Sequence, residues 1–193
     1  MRVDFAIEVE PRDEMLEIPW ENAATGSRYF DLREDPHAIE QVKDARRYVP
    51  VRGFLAAVNS ADSVFATARC SAGTSPADEN EFVSQIELIF APALEDFNFD
   101  RDNFESVADD LLELLARDPA GETLRAWLRL RRCHYRDAGR EGFCLAVVLS
   151  ARGETSGQAE LRWGLALARV QQALLFTSRV IRHYLAQSGY TAT

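Results

Sequence analysis

Val3, Phe5, Ile7 and Val9 alternate with Arg2, Asp4, Glu8 and Glu10 at the start of the chain. A period of two puts the two sets on opposite sides of a strand, so this segment reads as a strand with one buried face. From Pro11 to Glu34 no period persists; apolar islands such as Met15, Leu16, Ile18, Trp20 and then Tyr29, Phe30 and Leu32 sit among polar residues. Asp35 followed by Pro36 signals a helix start, because the carboxylate caps free amides and proline loses no hydrogen bond in the first turn. That helix is expected to run to about Arg47 and to stop before Pro50.

Val51 to Val58 and Val64 to Cys70 flank Asn59, Ser60, Ala61 and Asp62, which are small or turn-forming, and together they predict a hairpin. Ser71 to Asn80, rich in Gly, Pro, Ser and Asn, reads as a loop. Phe82, Ser84, Ile86, Leu88 and Phe90 then alternate with Val83, Gln85, Glu87 and Ile89 in a strand that ends at Pro92. Asp102 with Glu105 forms a capping box for a helix whose Phe104, Val107, Leu111, Leu114 and Leu115 share one face, ended by Asp118 and Pro119.

Leu124, Ala126, Leu128 and Leu130 alternate with Arg125, Trp127, Arg129 and Arg131. After a polar turn through Asp137, Ala138 and Gly139, an apolar run from Phe143 to Ser150 completes a second hairpin. Leu124, Trp127, Leu128 and Arg131 would also share one helical face, so helix competes with strand over 124–133. Ser156 can cap a last helix to about Gln187, with Leu167, Val170, Leu174, Ile181 and Leu185 on its main apolar face and Phe176, Val180 and Tyr184 widening it; Gly189 marks its end. At 1.5 Å per residue such a helix is roughly 45 Å long, more than one small sheet covers, so it bends, breaks or meets another subunit.

These elements define the α+β class: a two-layer sandwich, mostly antiparallel, with helices on one face, as a single domain over residues 1–193. The order β-α-β-β, β-α-β-β, α raises a duplicated βαββ unit, with halves 1–71 and 82–193 joined by the 71–80 loop.

Composition narrows the classes of partner. The 193 residues are 47% hydrophobic and 27% charged, which is ordinary for a folded globular chain. Acids outnumber bases 31 to 22, for a net charge of −9, which opposes bulk binding to nucleic acid or to anionic membranes. Lys43 is the only lysine, so almost all positive charge sits on guanidinium groups suited to fixed ion pairs. Cys70, Cys133 and Cys144 form no CxxC and no even framework, as expected in a reducing compartment. Acids at the N-terminus where a leader needs an apolar stretch, and no apolar run longer than Phe143 to Leu149, make the cytoplasm the expected location.

From Pro36 onward the order α-β-β-β-α-β-β-α in an acidic chain resembles that of type III secretion chaperones. The resemblance is one of element order alone. It implies a dimer that holds partner segments against its sheet and helices.

Candidate chemistry concentrates in one ribbon. Arg125, Arg129, Arg131, Arg132, Arg136 and Arg140 occur with one acid, Asp137, whereas Glu95 to Glu122 carries ten acids against Arg101 and Arg117. Arg125, Arg129 and Arg131 with Trp127 between them would form a row able to hold an anionic ligand. His134 and Tyr135 adjoin that row as candidates for proton transfer. In a purely structural role the arginines would instead pair with Asp109, Asp110 and Glu113 of the preceding helix or stay solvated. A turn centred between Ala138 and Gly139 would bring Cys133 and Cys144 face to face. Adjacent strand residues diverge, so Cys133 and His134 do not share a metal; His37, His134 and His183 lie in three separate elements.

No GxGxxG, phosphate-binding loop or GxSxG elbow is present, and no cofactor, metal or catalytic residue is assigned. The expected function is that of an interaction protein that binds a peptide or protein partner, homodimeric through the last helix or a sheet edge. The competing expectation is a small anionic-ligand binder or enzyme with its pocket between sheet and helices.

Overall fold

The computed structural model of the chain describes residues 1–22, 26–117 and 124–189. It opens with β1 (Arg2–Glu8) and a strap holding three short strands, β2 (Leu16–Ile18), β3 (Glu21–Asn22) and β4 (Ser27–Arg28). A tight helical segment (Pro36–Gln41), α1 (Lys43–Arg47) and α2 (Val49–Val58) follow, then the hairpin β5 (Phe65–Ser75) and β6 (Asp78–Phe90). A second tight segment (Pro92–Phe99) leads to α3 (Arg101–Ala116), the hairpin β7 (Leu124–Tyr135) and β8 (Arg140–Arg152), and α4 (Ser156–Gln187).

The sheet has the order β1-β7-β8-β6-β5, with β2 following β1 along the same edge of β7. β1 and β2 run parallel to β7 and the other pairings are antiparallel. The alternation seen in the sequence sorts the side chains. Phe82, Ile86, Leu88 and Phe90 of β6, Leu124, Ala126, Leu128 and Leu130 of β7, and Leu145, Val147 and Leu149 of β8 form one core with α2, α3 and α4. The chain is therefore a two-layer α+β sandwich with its helices on one face. α4 crosses this core unbroken; Trp163 donates from Nε1 to Ser84 Oγ at 2.8 Å, and fully buried positions end at Ser178. Ile181 and Leu185 still lean on the core, so the last turns overhang it on one side only.

Several local expectations are corrected. Residues 51–58 are helix: Val51, Phe54, Leu55 and Val58 fall one helical turn apart and are all buried, while Pro50 occupies the first turn of α2, where a missing amide costs nothing. The 71–80 stretch is hairpin, with only Pro76 and Ala77 outside the strands, so the boundary drawn between two halves falls inside a strand pairing. The order from Pro36 is thus α-β-β-α-β-β-α, one strand fewer than the secretion-chaperone order it resembles. The second βαββ unit lacks a leading strand of its own, because residues 82–90 belong to the first hairpin. Over 124–133 the strand prevails over helix. The caps shift as well. Asp35 caps as expected, accepting from His37 N, but Asp100 rather than Asp102 caps α3, and Thr155 rather than Ser156 caps α4. The expected helix end at Asp118 and Pro119 lies outside the described residues.

The β5 edge is closed by side chains. Thr67 N donates to Asn59 Oδ1 at 2.9 Å, Trp20 Nε1 donates to Ala68 O at 2.7 Å, and Ala72 N donates to Asp44 Oδ2 at 3.1 Å. Arg33 donates to the carbonyls of Ser60, Ser63 and Phe65. Such capping removes the backbone groups that an invading strand would pair with.

Candidate functional site

Odd-numbered residues of β7 point away from the helices, onto a second face of the sheet that is covered over only half its extent. Strand pairing arranges this face in cross-strand rows. One reads Asp4, Trp127, Val148, Gln85 and Ser71; the next reads Arg2, Arg125, Ser150, Val83 and Gly73. Both rows are left open by the strap, and a shallow depression of about 340 Å³ lies among Ser71, Gly73, Val83, Gln85 and Val148. Trp127 is half-buried there and Arg125 is exposed.

The next row, Ala6, Arg129, Ala146, Glu87 and Arg69, begins the covered half. Glu87 is 0% exposed and accepts from Arg69 at 2.7 and 3.2 Å, from Arg131 Nη1 at 3.2 Å and from Gln85 Nε2 at 2.6 Å. Arg131 also donates to Glu14 of the strap at 2.9 Å, and Glu8 lies within ion-pair reach of both Arg129 and Arg131. Beyond it Leu16 and Ile18 seal Cys133, Tyr135, Cys144, Ala66, Ala68 and Ile89 into a second small core.

The predicted residues therefore divide. Arg125 and Trp127 form an open pair, with Arg129 tethered at its margin. Arg131 is absorbed into the buried ion network. His134 points to the opposite side of β7, where its Nδ1 meets Glu17 at 2.9 Å, and this contact together with Arg136 holds the Glu17 carboxyl below its usual range. Tyr135 is buried against Phe99 and donates to Phe143 O at 2.6 Å; burial raises its pKa, so the phenol keeps its proton. Neither group reaches the arginine row, so neither can pass a proton to a ligand held there. Asp109, Asp110 and Glu113 belong to α3 on the other face of the sheet, so the row's acidic partners are Glu8, Glu14 and Glu87 instead.

The β7–β8 turn is shifted by one pair from the expected centre. Cys133 pairs with Gly142 and Cys144 with Arg131, so the two thiols touch diagonally; both are free, and burial raises the Cys133 pKa well above the thiol range. Among the described residues no three His, Cys, Asp or Glu side chains cluster as a metal site, and no helix is long and apolar enough to cross a membrane.

A larger concavity escaped the sequence reading. A cleft of about 730 Å³ opens beside β5, between the strap and α1, with Trp20, Arg28, Phe30, Lys43 and Arg46 around it and Arg69 and Gln85 on its floor. The hints in the sequence were the aromatic islands of a stretch without periodicity and the solitary lysine. Comparison of the chain with protein-family models, curated proteins and solved structures finds no match.

Proposed function

We propose that this protein is a cytoplasmic, non-catalytic interaction protein that holds an extended segment of a partner protein on the open half of its sheet, in the manner of a chaperone. The carrying observation is Trp127, half-exposed between Arg125 and Arg129 on a face whose neighbours Ser150, Ala146, Ser71 and Gly73 are small. An indole offers a large contact area at little entropic cost, and flanking guanidinium groups recruit carboxylates, so the segment suited to this face is apolar with acidic residues. Free thiols on all three cysteines agree with a reducing compartment. Self-association is assigned to α4, where Leu161, Leu165, Phe176, Val180 and Tyr184 are exposed, rather than to the capped β5 edge.

Fluorescence anisotropy with labelled peptides that vary in acidic and aromatic content tests the reading. Acidic, aromatic peptides should bind, and Trp127→Ala or the pair Arg125→Glu, Arg129→Glu should weaken them at least about tenfold, equivalent to 1.4 kcal/mol. Equal binding by wild type and variants, with folding retained, refutes the sheet face. Light scattering tests self-association: Leu165→Glu with Phe176→Glu should convert a dimer to a monomer, and a monomeric wild type refutes the helix assignment.

A further inference from the structure

The cleft beside β5 adjoins the open sheet face, and we propose that it binds a small organic anion with a flat apolar body. Its opening gathers Arg28, Lys43 and Arg46 in a protein whose net charge is −9. Asp44 is the only acid among the lining residues described, and its carboxylate is engaged by Ala72 N. Arg69 on the floor is neutralised by Glu87. Among the described residues neither Lys43 nor Arg46 has an ion-pair partner. The lining thus carries the exposed cations Arg28, Lys43 and Arg46 against the Asp44 carboxylate, with Asp31 and Glu34 beside Tyr29, and this local excess of positive charge favours an anion.

The walls set the rest of the ligand. Trp20 is fixed by its bond to Ala68 O, so its ring presents a rigid apolar surface, and the Arg28 guanidinium lies over the Phe30 ring at 5.3 Å from the centroid. Burial, with Asp31, Asp137 and Glu34 nearby, pushes Tyr29 up to about 12, so it lines the cleft as a neutral phenol. A volume of about 730 Å³ exceeds what one inorganic phosphate or carboxylate fills and lies in the usual range for sites that take small organic molecules. Cations at the mouth and aromatic side chains behind them fit a carboxylate, sulfonate or phosphate carried on a planar ring system. This site uses none of Arg125, Trp127 or Arg129, although its lining meets the open sheet face at Ser71, Ala72 and Gln85.

The test uses 8-anilinonaphthalene-1-sulfonate as probe on the full chain. Because Lys43 is the only lysine, its acylation by an amine-specific reagent is read directly by peptide mass spectrometry. Saturating probe should slow Lys43 acylation at least fivefold, and N-phenyl-1-naphthylamine, the same rings without the sulfonate, should bind at least tenfold more weakly. Lys43→Glu with Arg46→Glu should lower probe affinity at least tenfold, as should the milder Lys43→Gln with Arg46→Gln if the first pair fails to fold. Arg117→Gln, exposed at the end of α3 and outside the cleft lining, should leave affinity unchanged. The proposal is overturned by Lys43 acylation indifferent to the probe, by equal binding of the uncharged analogue, by full affinity in the charge variants, or by loss of binding in the Arg117 variant.

Discussion

Replacing Glu87 with Gln tests what the buried ion network does. The substitution keeps the side chain's shape but removes the charge that Arg69, Arg131 and Gln85 all address. Removing one partner of a buried pair costs about 3–5 kcal/mol, because the remaining charge stays desolvated without compensation. The low end applies here: Arg69 retains access to solvent, and Arg131, 7% exposed, keeps Glu14 at 2.9 Å. A loss of about 3 kcal/mol is a large share of the 5–15 kcal/mol typical of a folded domain. With a urea dependence of about 2 kcal/mol per molar, the unfolding midpoint should fall by about 1.5 M. Arg131 links Glu87 to Glu14, so hydrogen exchange in the strap should quicken in the same variant. Converting Arg69, Glu87 and Arg131 together to Met should recover much of the loss, since no buried charge is then unpaired. A midpoint shift worth less than about 0.5 kcal/mol, or a triple variant less stable than Glu87→Gln, would refute the reasoning.

Gly142→Ala should lower stability by about 1–3 kcal/mol, read as a fall in Tm, because rigid neighbours leave no room for a methyl group. A Cβ there would sit 2.5 Å from Asn98 O and 2.9 Å from the rings of Phe99 and Tyr135, so an unchanged Tm contradicts that packing. At alkaline pH the folded protein holds phenolic protons that the unfolded chain releases: Tyr29 titrates near 12 against an ordinary 10.0, and Tyr48 and Tyr135 are also raised. This contribution to stability is complete below pH 10 and is lost as pH rises towards 12; phenolate absorbance of the folded protein should lag that of the urea-unfolded chain, and coincident titrations would disprove it.

Much of the fold is legible along the chain. The alternation in residues 82–90 and 124–131 and the apolar run from Phe143 to Ser150 name the right strands and core faces, and α3 and α4 follow from their apolar stripes. β1 is a strand as expected, but Ile7, expected on its buried face, is exposed and Val9 lies beyond its end. The misreadings share a cause. Val51 to Val58 is apolar enough for either period, and its helical spacing wins because α2 packs against α4 and β5. Ser71 to Ser75 has loop composition yet extends as strand, because β6 supplies backbone partners that composition does not register.

The candidate site shows the same division. Once residues 124–135 are strand, spacing puts Arg125, Trp127, Arg129 and Arg131 on one side of it, since side-chain direction along a strand is a property of the backbone. The fate of each arginine depends on what crosses over it: Arg131 meets Glu14, 117 positions earlier, and is sealed, while Arg125 meets open space. The cleft likewise forms where the strap, α1 and β5 converge from distant parts of the chain. Periodicity records the direction of a side chain, whereas burial, pairing and concavity arise only when separate segments meet.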